Sequence, residues 1–218
     1  MDKEKLVIWG CGGMGREIRY LCEELGREVV GFLDERPEEC GQIVDGIPVL
    51  VDLGDMDLRQ QEIAVVCAGV GDPALKRKFV QKTREYGMRL AGPLIHPSVR
   101  LPPGSRLGIG AIVCAGSVIS INVRIEDFVI INTNVTVAHD TSIAAYATIS
   151  PGVNISGNVS VGEGVFIGTG SAIREKVSIG GWSVIGGGSF VKDDVPKCML
   201  YAGVPAVMKK PILGNLKP

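Results

Sequence analysis

His139 and Asp140 are neighbouring residues whose side chains could together carry out acid–base chemistry. An imidazole can take up a proton near neutral pH, and an adjacent carboxylate stabilises the imidazolium that forms. We therefore interpret His139 as a general base that Asp140 supports. The alternative is a solvated surface histidine beside an acidic neighbour, and the dipeptide alone leaves that alternative open.

A glycine-rich run at residues 10–15 is the second feature that could hold a ligand, since it satisfies the pattern G-x-G-x-x-G. Such a loop lets the backbone approach a diphosphate and present helix N-terminal amides to it. Asp34 follows the end of the next predicted strand, where a dinucleotide fold places its ribose ligand. These features predict nucleotide binding, with NAD as one option. The alternative is that the glycines only permit a tight turn and close helix packing.

The elements around this loop alternate between strands and helices over residues 1–98, which is typical of a small parallel α/β unit. The predicted strands are residues 5–9, 28–33 and 62–68. Apolar residues at helical spacing predict a helix between the first two strands, and Gly26 ends it. A second helix is predicted over 72–86, with Asp72 as N-cap and Pro73 in its first turn. We expect a Rossmann-like βαβ domain.

A period of six residues begins at Leu101 and continues to Pro196 without insertion or deletion. Sixteen hexads fit; their first residues are all aliphatic, and their fifth residues are only Ser, Ala, Val or Thr. This period is typical of short strands that stack into a solenoid, in which each unit is stabilised by its neighbours. His139 and Asp140 are the third and fourth residues of one hexad, so we expect them at an exposed corner.

Composition narrows the classes of function. The 218 residues include 23 basic and 24 acidic side chains, and the resulting net charge of −1 removes any charge-based case for nucleic acid or an anionic membrane. No apolar run approaches the ~20 residues that span a bilayer. Six scattered cysteines and only two histidines predict a reduced, cytoplasmic protein without a metal site.

The hexads resemble those of the bacterial hexapeptide acyltransferases, in which three hexads form one turn of a left-handed parallel β-helix. About five turns follow from that resemblance. Residues 203–206, Gly-Val-Pro-Ala, resemble the segment that closes the acetyl-coenzyme A site in these enzymes. With the N-terminal unit included, nearly the whole chain resembles the sugar O- and N-acyltransferases. The resemblance implies an acceptor-binding domain in residues 1–98 and a β-helix acyltransferase domain with a C-terminal tail in residues 99–218.

The resemblance also assigns roles to residues. His139 and Asp140 match the catalytic pair. The nucleotide of the acceptor, rather than a redox cofactor, is expected to contact a second group: Gly12, Gly13, Met14, Asp34, Glu35 and Gly71. Acetyl-coenzyme A is expected to contact a third group, in which Gly157 would donate its N–H to the oxyanion: Thr148, Gly157, Thr169 and Gly187. The coenzyme phosphates could meet Lys192, Lys209 and Lys210.

The chain departs from the family at three of these positions. Met14 and Thr148 stand where relatives often have histidine, and Glu35 stands where they often have a second aspartate. The other histidine, His96, precedes a proline at the junction of the two regions, where the backbone should be extended. We interpret it as structural and assign it no catalytic role.

The leading hypothesis is direct N-acetylation of a nucleotide-linked amino sugar of the UDP-4-amino-dideoxy type, with acetyl-coenzyme A as co-substrate and His139 as base. The resemblance implies a homotrimer with coenzyme A between adjacent β-helices. Three alternatives stay open: O-acetylation of sialic acid or a related sugar, an NAD-dependent oxidoreductase, and a noncatalytic trimer that binds sugar nucleotides. A β-helix carbonic anhydrase is excluded, because its metal needs three histidines and the chain has two.

Overall fold

The N-terminal domain is a parallel sheet with two helices. The computed structural model describes residues 4–36, 38–50 and 63–212. The elements of this domain are β1 (Lys5–Trp9), α1 (Gly13–Glu24), β2 (Glu28–Leu33), β3 (Ile43–Val44), β4 (Ile47–Leu50), β5 (Ala64–Val66), α2 (Pro73–Glu85) and β6 (Arg89–Leu90). The strand order is β3-β4-β2-β1-β5-β6, and only the β3–β4 hairpin is antiparallel. The chain thus winds outward from β1 in both directions, which places the topological switch point between β1 and β5.

The predicted elements of this domain are largely confirmed. The predicted strands 5–9 and 28–33 coincide with β1 and β2, whereas the third is shorter than predicted and its first residue lies outside the described residues. Asp72 caps α2, since its carboxylate accepts from the N–H of Leu75 at 2.8 Å. Gly26 and Gly87 follow the two helices, and each has a positive φ, as helix-ending glycines do.

Within the described residues, no helix is long and apolar enough to cross a membrane.

The second region is a three-sided solenoid that continues into an antiparallel hairpin. From β7 to β22, strands pair in parallel with strands 18 residues away, so three hexads complete a turn. This is the solenoid that the hexad period predicted, in the form of the left-handed parallel β-helix that the family resemblance implied. The strands are β7 (Leu94–Ile95), β8 (Arg106–Leu107), β9 (Ile112–Val113), β10 (Val118–Ile119), β11 (Arg124–Ile125), β12 (Ile130–Ile131), β13 (Thr136–Val137), β14 (Ser142–Ile143), β15 (Thr148–Ile149), β16 (Asn154–Ile155), β17 (Ser160–Val161), β18 (Phe166–Ile167), β19 (Ala172–Ile173), β20 (Ser178–Ile179), β21 (Val184–Ile185), β22 (Phe190–Val191), β23 (Met199–Ala202) and β24 (Val207–Pro211).

Three sheets form the sides of the solenoid. We name the side with β7, β9, β12, β15, β18 and β21 the docking face, the side with β10, β13, β16, β19 and β22 the open face, and the side with β8, β11, β14, β17 and β20 the third face. First-position residues such as Ile131 and Ile149 fill the interior. Ile112 and Ile130 point outward from the docking face and pack with Ile18 of α1. The N-terminal domain therefore shares an apolar core with one side of the solenoid.

The fourth residue of each hexad forms the corner of the solenoid. In the fifteen hexads over residues 101–190 its φ lies between +55° and +87°, and eight of these fifteen residues are not glycine. A left-handed conformation costs a non-glycine residue about 1–2 kcal/mol. Hydrogen bonds to the preceding turn hold the corner, as when Asp140 N donates to the carbonyl of Ile121 at 3.1 Å. Asp140 is one of the residue types that tolerate this conformation, and the hydrogen bond to the preceding turn holds it there.

The exposed corner residue Lys176, with φ +64°, offers a test of this strain. A β-branched side chain resists positive φ, so Lys176→Val should lower the free energy of unfolding by about 1–2 kcal/mol. The neighbouring variant Glu175→Val, at a position without positive φ, should change it by less than about 0.5 kcal/mol. Urea unfolding of both variants measures the difference, and equal stabilities would contradict the account of the corner.

Candidate functional site

His139 and Asp140 lie at the corner between the open face and the third face, after β13 and before β14. His139 Nδ1 lies 2.8 Å from Asp140 Oδ2, and the two side chains are 53% and 44% exposed. An ionised carboxylate can only accept a hydrogen bond, so Nδ1 carries the shared proton and Nε2 is free to accept another. The pair thus has the exposure that the hexad position predicted and the arrangement that a general base needs.

Asn122 supports the carboxylate from the preceding turn. Its Nδ2 donates to Asp140 Oδ1 at 3.1 Å. Hydrogen bonds from His139 and Asn122 hold the pKa of Asp140 below its ordinary value. Because the carboxylate stays ionised at neutral pH, it can stabilise a positively charged imidazolium. Sequence reasoning missed Asn122, although the three-hexad turn places it directly in register with Asp140.

Gly157 lies in register with His139 on the following turn and is buried. A Cβ built on Gly157 would lie 2.7 Å from both Nε2 and Cε1 of the imidazole, which is closer than real side chains approach. Glycine therefore leaves room for the ring. Its N–H donates to no group in the described part of the chain. The N–H of Gly157 can therefore donate a hydrogen bond to an oxyanion. Such an oxyanion would lie next to Nε2 of His139.

Gly157→Ala should displace the imidazole while leaving the solenoid folded. We expect kcat for acetyl transfer to fall by about 10- to 100-fold, because a shift of one ångström in a catalytic group costs that much. Gly181→Ala is the matched control: it alters another third-position glycine, whose Cβ would lie 3.1 Å from a backbone oxygen rather than against a histidine. Steady-state kinetics of both variants measures the change in kcat, and their melting temperatures show whether the solenoid stays folded. Full activity in Gly157→Ala would show that the ring does not depend on this glycine.

Thr148 lies on the docking face in β15 and is 1% exposed. Lys76 of α2 is fully buried against it: Nζ donates to Thr148 Oγ1 at 2.9 Å and to the carbonyl of Ala147 at 3.2 Å. The structure thus puts Thr148 on a different side of the solenoid from the His139 corner. The contact between Thr148 and the coenzyme stays a prediction, and it requires Lys76 to move.

Lys76 makes the stability of the protein depend on pH. Burial lowers the pKa of Lys76 from 10.5 to about 7. The unfolded chain keeps this proton to higher pH than the folded chain does, so the free energy of unfolding should rise with pH between those two values. In Lys76→Met this contribution is absent. Urea unfolding at pH 7 and at about pH 9.5 should show the wild type gaining stability relative to the variant; parallel changes in both proteins would contradict the buried, uncharged lysine.

Thr169 and Gly187 stack on each other at the corner between the docking face and the open face. A Cβ on Gly187 would lie 3.2 Å from the carbonyl oxygen of Thr169. This is not the corner that holds His139 and Gly157. A coenzyme that contacts all of these residues must reach two corners of the solenoid.

Three lysines were predicted to bind the coenzyme phosphates. Lys192 pairs with Asp193 at 2.7 Å, and Lys209 and Lys210 are exposed on β24.

The glycine loop and Gly71 lie together at the switch point, because they follow the adjacent strands β1 and β5. A Cβ on Gly10 or Gly15 would collide with a backbone carbonyl, so these two glycines serve packing. A Cβ on Gly12, Gly13 or Gly71 would meet nothing within 4 Å. Packing alone therefore does not account for Gly12, Gly13 and Gly71, whose open backbone lies where α/β folds bind phosphate-containing ligands.

Asp34 is buried and already fully engaged. It accepts from Nε and Nη2 of Arg36 at 2.9 Å each and from the N–H of Cys11 at 3.2 Å. Burial opposes its ionisation, but these hydrogen bonds outweigh burial and hold the pKa of Asp34 well below its ordinary value. The carboxylate is poorly placed to accept from a ribose hydroxyl, which weakens the NAD alternative. The guanidinium group of Arg36, which pairs with Asp34, is half exposed.

Glu35 and Met14 are also engaged within the domain. Glu35 accepts from Lys78 and Lys82 of α2. Burial tends to raise the pKa of Glu35, but the two lysines outweigh it and lower the pKa below its ordinary value. Met14 packs against the core that α1 shares with the solenoid. The nucleotide contacts expected of Glu35 and Met14 stay predictions.

A groove of about 710 Å³ runs beside α1 from Gly13 to the solenoid. Its solenoid wall is the corner between the docking face and the open face, where Cys114, Ala115 and Thr133 line it. The groove begins at the switch point, so a nucleotide held by the loop would extend into it. His139 is not among the residues that line this groove.

His96 lines the same groove but lacks a free ring nitrogen. Its Nδ1 accepts from the N–H of Ser98 at 3.0 Å, and its Nε2 lies 3.1 Å from the carboxylate of Glu24. The contact with Glu24 joins the segment after β7 to α1, which agrees with a structural role. Across the described ranges, no three His, Cys, Asp or Glu side chains form a group that could hold a metal.

Comparison with known proteins found one matching family profile and solved structures that include acetyltransferases. The profile of the PglD N-terminal domain matches residues 5–83. A structure of a perosamine N-acetyltransferase variant from Caulobacter crescentus, in complex with CoA and GDP-perosamine, is 34% identical with a TM-score of 0.86, over 94% of this chain and 97% of that one. The acetyltransferase domain of PglB from Neisseria gonorrhoeae, in complex with acetyl coenzyme A, is 34% identical with a TM-score of 0.83, over 96% and 100%.

A third structure, WeeI from Acinetobacter baumannii, is 23% identical over 95% of this chain and 100% of that one; its TM-score of 0.85 supports the fold alone. No curated protein sequence matched the chain. The fold and the likenesses define an acyltransferase that uses acetyl-coenzyme A as co-substrate. The chain belongs to the hexapeptide-repeat family of sugar acetyltransferases. The family, the fold class and the co-substrate expected from the sequence are thereby confirmed.

Proposed function

We propose that the protein transfers the acetyl group of acetyl-coenzyme A to the amine of a nucleotide-linked amino sugar. The observation that carries the proposal is the free Nε2 of His139, whose Nδ1 is held by an ionised carboxylate and whose ring lies against Gly157. The Caulobacter relative, solved with GDP-perosamine, supports an amino-sugar acceptor. The UDP-4-amino-dideoxy type expected from the sequence and the GDP-linked type are the first two acceptor classes to compare.

Each residue of the His139 corner has a separate role in the proposed reaction. His139 Nε2 accepts a proton from the acceptor amine as its nitrogen forms a bond to the thioester carbon, and the imidazolium returns the proton as the C–S bond breaks and the thiol leaves. Asp140 stabilises the imidazolium and fixes the ring. The N–H of Gly157 donates to the oxyanion of the tetrahedral intermediate. The transfer needs no covalent acetyl-enzyme.

The two corners of the solenoid support a homotrimer as the working form. The loop groove lies at one edge of the open face and His139 at the other. The open face exposes Val118 and Phe190 at 61% and 37%, and Ile121, at the same corner as His139, is 57% exposed. In a cyclic trimer that buries this face, one corner of a subunit meets the other corner of its neighbour. An acceptor held beside Gly13 would then reach His139 of the next subunit, with the coenzyme between them.

Acetyl transfer to a panel of UDP-, GDP- and dTDP-linked 4-amino and 3-amino sugars, with sialic acid included, tests the reaction through release of the coenzyme A thiol. We expect turnover with an amino sugar and a loss of about 10²- to 10⁴-fold in kcat for His139→Ala, because that is the usual contribution of a general base. Glu28→Gln, which changes an exposed carboxylate at the start of β2, at the end of the sheet away from the glycine loop, should keep most of kcat.

Three results would contradict parts of this proposal. Turnover with sialic acid alone would favour O-acetylation, the second candidate from the sequence. Undiminished transfer by His139→Ala would remove His139 as the base. Binding of acetyl-coenzyme A without turnover across the panel would exclude the nucleotide-linked amino sugars in it as acceptors.

A further inference from the structure

The corner that holds His139 also exposes an apolar side chain. Ile121 occupies the third hexad position one turn before His139, and its side chain is more than half exposed. Val118 of the same turn is exposed on the open face. The open face and its edge thus present apolar groups to solvent at this level of the solenoid. Exposed apolar groups rimmed by charged residues are typical of interaction surfaces.

The groove beside α1 lies at the opposite edge of the open face. Cys114 and Ala115 line it from the solenoid, and Tyr20 and Leu21 line it from α1. The strands β9, β10 and β11 make one turn, so Ala115 and Ile121 lie at the same level along the solenoid axis. The chain therefore carries an apolar projection and an open, largely apolar groove in one turn, at opposite edges of the same face.

α1 runs opposite to the direction in which the solenoid grows. Glu24, its last residue, lies 3.1 Å from His96, which follows β7. Glu17, about two helical turns earlier, lies near Cys114, since burial and the charge of Glu17 both raise the pKa of that thiol. The N-terminus of α1 therefore points toward the later turn of β12 and β13, which holds His139. The glycine-loop end of the groove lies at that level, and the other end lies one to two turns earlier.

Charges of opposite sign flank the projection and the groove. Arg124 follows Ile121 in the same turn, and Arg106 lies directly opposite Arg124 in the ladder, one turn earlier. Within the described ranges, neither guanidinium group forms an ion pair, a side-chain hydrogen bond or a ring contact. Like charges directly opposite each other are unfavourable, so the two arginines favour carboxylate partners. Glu17 lies at the level of Arg124, and Glu24 lies at the level of Arg106.

We propose that Ile121 of one subunit packs into the groove beside α1 of the next subunit. Arg124 then faces Glu17 across the contact, and the second arginine faces Glu24. The inference rests on the proposed function, because it specifies the contact of the homotrimer proposed there. It also places the glycine-loop end of the groove beside the base of the next subunit, so each acceptor site is completed by a neighbour.

The equal level of the projection and the groove determines the kind of assembly. A rotation about an axis parallel to the solenoid brings the two together without a shift along that axis. A heterologous contact of this kind closes into a ring, whereas a contact with a shift would continue as a filament. The acceptor keeps the glycine-loop end of the groove, because the projection enters one turn earlier.

Chemical cross-linking tests the contact directly. In Ile121→Cys/Tyr20→Cys, a short bismaleimide should join the two new thiols of neighbouring subunits, because both lie in the proposed contact. Denaturing electrophoresis should then show covalent dimers and trimers and no larger species, since the ring closes after three contacts. The two single variants control for native thiols. Ile109→Cys/Tyr20→Cys, which changes an exposed third-position isoleucine at a different corner, should not cross-link.

Charge reversal tests the pairing of the flanking side chains. Arg124→Glu or Glu17→Arg alone puts like charges across the contact, and each should speed the exchange of subunits between trimers by about 10- to 100-fold. The combination of both should exchange within a few-fold of the wild-type rate, because the pair is restored. Lys5→Glu, which reverses an exposed charge at the far end of β1, should exchange as the wild type does. Native mass spectrometry of mixed tagged and untagged trimers measures the rate.

Several outcomes would overturn the inference. A trimer that does not cross-link through the two new cysteines, or that exchanges at the same rate after charge reversal, would remove this contact and leave the homotrimer standing. Cross-linked species of more than three subunits would replace the ring with a filament. A monomeric wild type would remove both the contact and the trimer, while acetyl transfer, assayed separately, would still decide the reaction. Cross-linked trimers without transfer to any nucleotide sugar would support the contact and count against the reaction.

Discussion

The parallel ladder between residues 18 apart is the constraint on which the site depends. It places Asn122 in register with Asp140 and Gly157 in register with His139, so the turns on either side fix the position of the imidazole that we propose as the base. The left-handed corner then turns the Asp140 carboxylate toward Nδ1. No residue of this group could hold the geometry alone, because each bond is exposed and individually weak. Preorganisation comes from the repeated backbone pairing of the turns above and below.

The N-terminal domain is joined to this scaffold by a shared apolar core and by one buried polar contact. Ile112 and Ile130 of the docking face complete the core of α1, and Lys76 of α2 reaches Thr148. The glycine loop is thereby held at a different corner from His139. That separation is the reason that a subunit alone does not present a nucleotide and the base in one groove. Burial of the apolar open face between subunits would bring the two corners together.

Much of the fold could be predicted because its signals are local. The hexad period, the N-cap Asp72 and the strand at residues 28–33 are visible within a few residues of sequence, and the structure confirms them. The engagement of Asp34 by Arg36 was not predicted, because a motif identifies a carboxylate but not its partners. The burial of Thr148 depends on a lysine 72 residues earlier in the chain, which no local pattern indicates. Stacking distances of 18 residues were predictable, and they would also have identified Asn122.

The most direct test of the account is a crystal structure of the protein with coenzyme A and the nucleotide amino sugar that it acetylates. The account predicts that the acceptor amine lies within about 2.6–3.2 Å of His139 Nε2. It also predicts that the thioester end of the coenzyme lies beside the N–H of Gly157, between two subunits. An amine bound away from His139, or a coenzyme confined to one corner of a single subunit, would contradict it.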